Sequence, residues 1–70
     1  MVDVKKLRDT MENKNISIQF AAKTLGIDRS SMYRKLQDGS FKIAEAEAIM
    51  NLLQLKENEA VSIFFAHKVS

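Results

Sequence analysis

The sequence predicts an all-α domain of five short helices. Three observations carry that expectation. Proline is absent and glycine occurs twice in 70 residues; apolar residues recur at three- and four-residue spacing; and no segment alternates as a half-buried strand does. Seventy residues form one small domain, spanning 1–70, because separate cores need roughly 100–200 residues each. A chain of this length buries only about 60% of its unfolded surface, so its core is small and every buried side chain counts. With 46% hydrophobic and 29% charged residues, the composition is globular rather than disordered.

The elements follow in order. Val4, Leu7 and Met11 share one helical face behind Asp3 as N-cap, and Asn13 to Asn15 end that helix. Ile18, Ala21, Ala22 and Leu25 form the second stripe. Ser17 caps it through its hydroxyl, Ile16 staples onto Ala21, and Gly26 stops it where a left-handed residue is needed. Asp28 caps a third helix over 29–37, with Met32 and Leu36 inward and Gly39 beyond its end. The fourth is expected from Ala44 to Leu53, with Ala46, Ile49, Met50 and Leu53 on one stripe. The fifth is expected from Glu57 to Ala66, carrying Ala60, Val61, Ile63, Phe64 and Phe65, with Lys68 complementing its C-terminal dipole.

Several function classes drop out. No cysteine and one histidine leave no disulfide, structural zinc or common nucleophile–base pair. Glu45 and Glu47 lie two apart, as do Glu57 and Glu59, so neither pair shares a helix side, and His67 reads as a surface residue near the C-terminus. No glycine-rich phosphate loop is present. No enzyme, catalytic residue, metal, cofactor or small-molecule ligand is therefore expected. Apolar runs fall short of the roughly 18–20 residues of a membrane span, and the first residues lack the apolar core of a signal peptide. A cytoplasmic protein without a second domain or membrane partner is the expectation.

Charge is unevenly spread. Residues 1–42 hold nine Lys/Arg against five Asp/Glu, whereas residues 43–70 hold two against four. A basic half and an acidic half fit one face turned to a polyanion and another turned away.

The stretch AAKTLGIDRSSMYRKL, from Ala21, has the pattern of a helix-turn-helix. Ala22 is small where two helices cross, Gly26 permits the turn, and Ile27 and Met32 lock the second helix. At about 100° per residue, Met32 and Leu36 set the inward stripe of helix three. Ser30, Arg34 and Gln37 lie opposite, with Tyr33 and Lys35 on the flanks, and Arg29 projects from the first turn. That outward side is rich in donors and free of carboxylates. A helix entering a major groove needs this, because Arg can read guanine O6 and N7 with two hydrogen bonds and Ser or Gln can reach other base edges.

These residues, followed by Gly39-Ser40-Phe41-Lys42-Ile43, a Glu-containing helix four, Leu52-Leu53-Gln54-Leu55-Lys56 and Ile63-Phe64-Phe65, resemble the phage-type Cro/repressor DNA-binding domains. The resemblance covers nearly the whole chain and implies a λ-repressor-like five-helix bundle with its helix-turn-helix at helices two and three. It implies a repressor or Cro-like switch protein that binds a double-stranded operator as a homodimer. Base contacts would fall on Arg29, Ser30 and Arg34, with Tyr33 added from its exposed position. Phosphate contacts would fall on Ser17, Gln19, Ser40 and Lys42, with Ser31 and Gln37 added from the recognition helix. One departure is visible: the helix closes its core stripe with Leu36, where the λ-type pattern closes one residue earlier, at Lys35. In this respect Tyr33-Arg34-Lys35-Leu36 is closer to Fis-type activators. Phe20 stands where a polar residue is common and is expected to pack on helix one or to form a partner surface. Adjacent Phe64 and Phe65 cannot both enter one small core: either one is core and the other is partly covered by helix one, or helix five carries a homodimer seam with Ile63 or Phe64 contributing. The other readings are an antirepressor-like protein-interaction module, using Phe20, Phe64 and the acidic half, and an excisionase-like architectural DNA-binding factor.

Overall fold

The computed structural model describes residues 2–66, and His67 and Lys68 lie outside them. Five helices run α1 (Val4–Asn13), α2 (Ile18–Leu25), α3 (Arg29–Asp38), α4 (Ile43–Leu52) and α5 (Glu57–Phe64), with no strand among the described residues. The first three begin at the expected caps. Asp3 Oδ1 accepts from the Lys6 N–H at 3.0 Å, Ser17 Oγ from the Phe20 N–H at 3.0 Å, and Asp28 Oδ2 from the Ser31 N–H. Each satisfies a donor that the first turn leaves unpaired.

Gly26 and Gly39 end α2 and α3 at φ +71° and +72°, in the left-handed region. Gly39 is doubly constrained, since a Cβ there would stand 3.2 Å from that of Val2. After Gly26 the Ile27 N–H returns to the Ala22 carbonyl at 3.0 Å, closing the tight corner between α2 and α3.

Four boundaries differ from the sequence expectation: α3 runs one residue further, to Asp38, α4 spans Ile43–Leu52 rather than Ala44 to Leu53, and α5 stops short of Ala66. α4 starts at Ile43 because the Glu45 carboxylate reaches back to accept the Lys42 N–H at 2.9 Å, half of a capping box. α5 starts in the same manner, with Glu59 accepting from the Lys56 N–H, and ends at Phe64, since Phe65 leaves helical geometry at φ −130°.

α2 packs on α3 and α4, and α1 packs on α3 and α5. Their shared core holds Leu7, Met11, Ala21, Ala22, Met32, Leu36, Ile49, Leu53, Ile63 and Phe64. The Asp3 N–H donates to the Ile63 carbonyl at 2.7 Å and ties the start of α1 to α5. Phe41 meets Phe64 edge to face, with ring centroids 6.3 Å apart. The radius of gyration, 11.0 Å, equals the roughly 11 Å of a fully packed chain of this length.

Two expectations about aromatic residues are corrected. Ile63 and Phe64 are 2% and 6% exposed, so a dimer seam through them would require opening the core. Val61 and Phe65, one turn apart, are the apolar residues that α5 and its end present to solvent, at 40% and 50% exposure. Phe20 is 51% exposed rather than covered by α1.

Candidate nucleic-acid interface

α3 is divided cleanly by burial. Met32 and Leu36 are wholly inside, while Arg29, Ser30, Tyr33, Arg34 and Gln37 are exposed. The four residues expected to read bases therefore share the outer surface of one helix. Ser30 and Arg34, one turn apart, lie farthest from the core stripe.

Arg29 and Tyr33 act as a pair. The guanidinium carbon lies 5.6 Å from the ring centroid, and Nη2 donates toward the phenol oxygen at 3.4 Å. Stacking over the ring draws Arg29 back along the helix, so that a residue aimed coreward by its angular position is held on the outer surface. Arg34 makes no ion pair within 4.0 Å among the described residues. Its charge contributes only the smallest part of the lowering of the Asp38 carboxyl.

Proton accounting separates the three serines expected to touch phosphates. A hydroxyl carries one proton. Ser17 spends only a lone pair on its cap, so its proton can be donated outward. Ser31 and Ser40 instead donate to Asp28 and Asp38 respectively, Ser40 at 2.6 Å. Both carboxyls are held below the ordinary Asp range, first of all by these hydroxyl bonds. The Ser40 N–H is spent on Asp38 as well, at 3.0 Å. As folded, the Ser31 and Ser40 hydroxyls are engaged at the two ends of α3, and a phosphate contact from either would have to displace its bond to Asp28 or Asp38.

Lys35 turns away from the outer face. Its ammonium lies 3.0 Å from Glu45 Oε1 and 3.3 Å from the Ser40 carbonyl, and only 12% of its side chain is exposed. Glu45 is held below the usual carboxylate range by the Lys42 N–H first, with Lys35 adding to the effect. One carboxylate thus fixes the end of α3 to the start of α4, and with it the backbone of exposed Lys42. Gln19 is exposed in the first turn of α2 and borders a cleft with Lys23 and Arg29.

Two basic residues beside this surface were not singled out by sequence reasoning. Lys23 lies one turn after Gln19 on the outside of α2, a spacing visible in the sequence. Arg8 of α1 lines two clefts that Tyr33 also lines, and only the packing of α1 on α3 brings it there. No helix among the described residues is long and apolar enough to cross a membrane.

Residues 1–39 match the family described as bacterial regulatory protein, Fis family. No curated protein and no solved structure matches the chain. The matched span contains α1, α2 and α3 entire and ends on Gly39, which stops α3. It includes Tyr33-Arg34-Lys35-Leu36, where the sequence departs from the λ-type pattern toward the Fis type. With a donor-bearing helix set on a glycine corner and the match covering more than half of the sequence, this chain belongs to the Fis family of bacterial regulatory proteins as a helix-turn-helix, DNA-binding transcriptional regulator.

Proposed function

We propose that the protein represses transcription, as a phage-type repressor or Cro-like switch does, by occupying an operator and excluding polymerase. α3 lies in the major groove, where Arg29, Ser30, Tyr33 and Arg34 sample base edges. Ser17, Gln19, Gln37 and Lys42 hold backbone phosphates and set register without carrying sequence information themselves. The first turn of α2 adds backbone N–H groups not used by the Ser17 cap. The observation that carries this reading is the composition of the α3 outer surface: two arginines, a serine, a glutamine and a tyrosine, all exposed, behind a fully buried Met32 and Leu36. α4 and α5 complete the five-helix arrangement that the phage-type resemblance implies.

One module of this size binds two half-sites about 34 Å apart as a homodimer. Exposure supports a seam at Val61 and Phe65. The antirepressor-like reading loses Phe64, which is in the core.

Selection from a random DNA pool tests the proposal. A palindromic word is expected, and Arg34→Ala should relax it at one position in each half-site at a cost of about 1–3 kcal/mol. An unenriched pool would overturn the proposal, as would unchanged preference in Arg34→Ala together with retained binding of a partner protein.

A further inference from the structure

The expected phosphate contacts all lie within the helix-turn-helix or just after it, but the surface around α3 does not end there. Tyr33 and Lys35 are two residues apart, so their directions differ by about 200° and they mark opposite flanks of the helix. The Lys35 flank runs through Glu45 to Lys42. The Tyr33 flank runs to α1, where Arg8 borders one cleft with Tyr33 and Ser17 and another with Tyr33 and Gln37. A helix seated in a major groove about 12 Å wide has a phosphate row on each side. Cations on its two flanks therefore meet different strands.

We propose that Arg8 binds the backbone of one DNA strand while Lys42 binds the other, so that α1 forms part of the interface. This rests on the reading of α3 as the major-groove helix. Among the cations of α1 on this flank, Arg8 is the one left free for the role. Lys5 is spent on Asp9, 3.0 Å away, whereas Arg8 has no carboxylate within 4.0 Å among the described residues. Its planar fork also matches the geometry of phosphate oxygens. Glu12 borders the same cleft and opposes the contact by repulsion.

Ethylation interference on the selected site, read strand by strand, tests the assignment in the full chain. In Arg8→Gln the interference signal should disappear from one strand of each half-site, and in Lys42→Gln from the other. The slope of log affinity against log salt should fall by about 0.9 for each Arg8 removed. Lys14→Gln, a cation just beyond α1, should change neither readout, and Glu12→Gln should tighten binding. An Arg8→Gln protein with normal helicity, an unaltered slope and an unaltered interference pattern would overturn the proposal while leaving the reading of α3 intact, provided Arg34→Ala still relaxes the preference. A chain that binds no duplex would overturn both.

Discussion

α3 and α5 carry similar cores and opposite surfaces. α3 buries Met32 and Leu36 and presents Arg29, Ser30, Arg34 and Gln37; α5 buries Ile63 and Phe64, and Val61 and Phe65 stand outside. One surface suits a charged partner held by ions and hydrogen bonds, and the other suits apolar contact. Raising salt distinguishes them with the largest expected effect. A homodimer making about six phosphate contacts should lose about a thousandfold in DNA affinity between 50 and 200 mM salt. The proposed self-association through Val61 and Phe65, an apolar contact with the like-charged Glu57 beside Val61, should hold or tighten its sedimentation behaviour over the same range. A flat DNA response, or a dimer that dissolves with salt, would break the contrast.

Two neighbouring aromatics sharpen it next. Phe64→Ala removes a ring packed on Phe41 in the core and should cost about 3–5 kcal/mol of stability in a denaturant titration. Phe65→Ala removes a half-exposed ring and should leave the monomer within about 0.5 kcal/mol while weakening self-association. Equal losses of stability from both would refute the assignment of inside and outside.

The same pair shows where the sequence was legible. α1, α2 and α3 each mix apolar and polar residues so that, Phe20 of α2 excepted, one angular assignment hides the first and exposes the second. Their caps, stops and inward residues therefore follow from spacing alone. α5 and its end have four apolar residues among 61–65, so the helical wheel admits more than one inward face. The choice was made by tertiary partners, Phe41 against Phe64 and Asp3 on the Ile63 carbonyl. On the outer face of α3, exposure of Arg29, Ser30, Tyr33 and Arg34 was readable, but the Lys35–Glu45 tie and the approach of Arg8 depend on helices distant in sequence. The roles of Ser31 and Ser40 stood closer to the text: an Asp three residues before one and two before the other is a local hydrogen-bond acceptor for each.

Serine chemistry supplies a smaller effect. Ser17→Ala loses the α2 cap and should cost about 1 kcal/mol in a thermal melt. It should also weaken DNA binding, because the freed hydroxyl proton is lost with it. Ser40→Ala removes a hydroxyl already spent on Asp38 and should change DNA affinity less than twofold. A Ser40→Ala loss as large as that of Ser17→Ala would show that the Asp38 bond breaks on binding and returns Ser40 to the interface.

Acid gives the gentlest test. Asp28, Asp38 and Glu45 sit at the two ends of α3 and the start of α4, and all three carboxyls are lowered in the folded chain. A depressed folded value means that the unfolded chain takes up protons first. The stabilisation is therefore complete above the unfolded carboxylate values near 4 and is lost as pH falls through the folded ones. The melting temperature should stay level from pH 7 to about 5 and decline below about 4. Glu45→Gln keeps an oxygen to accept the Lys42 N–H but gives up the charge facing Lys35, so its acid decline should be shallower than the parent's. A decline as steep in Glu45→Gln as in the parent would show that the acid sensitivity lies elsewhere than in the tie between α3 and α4.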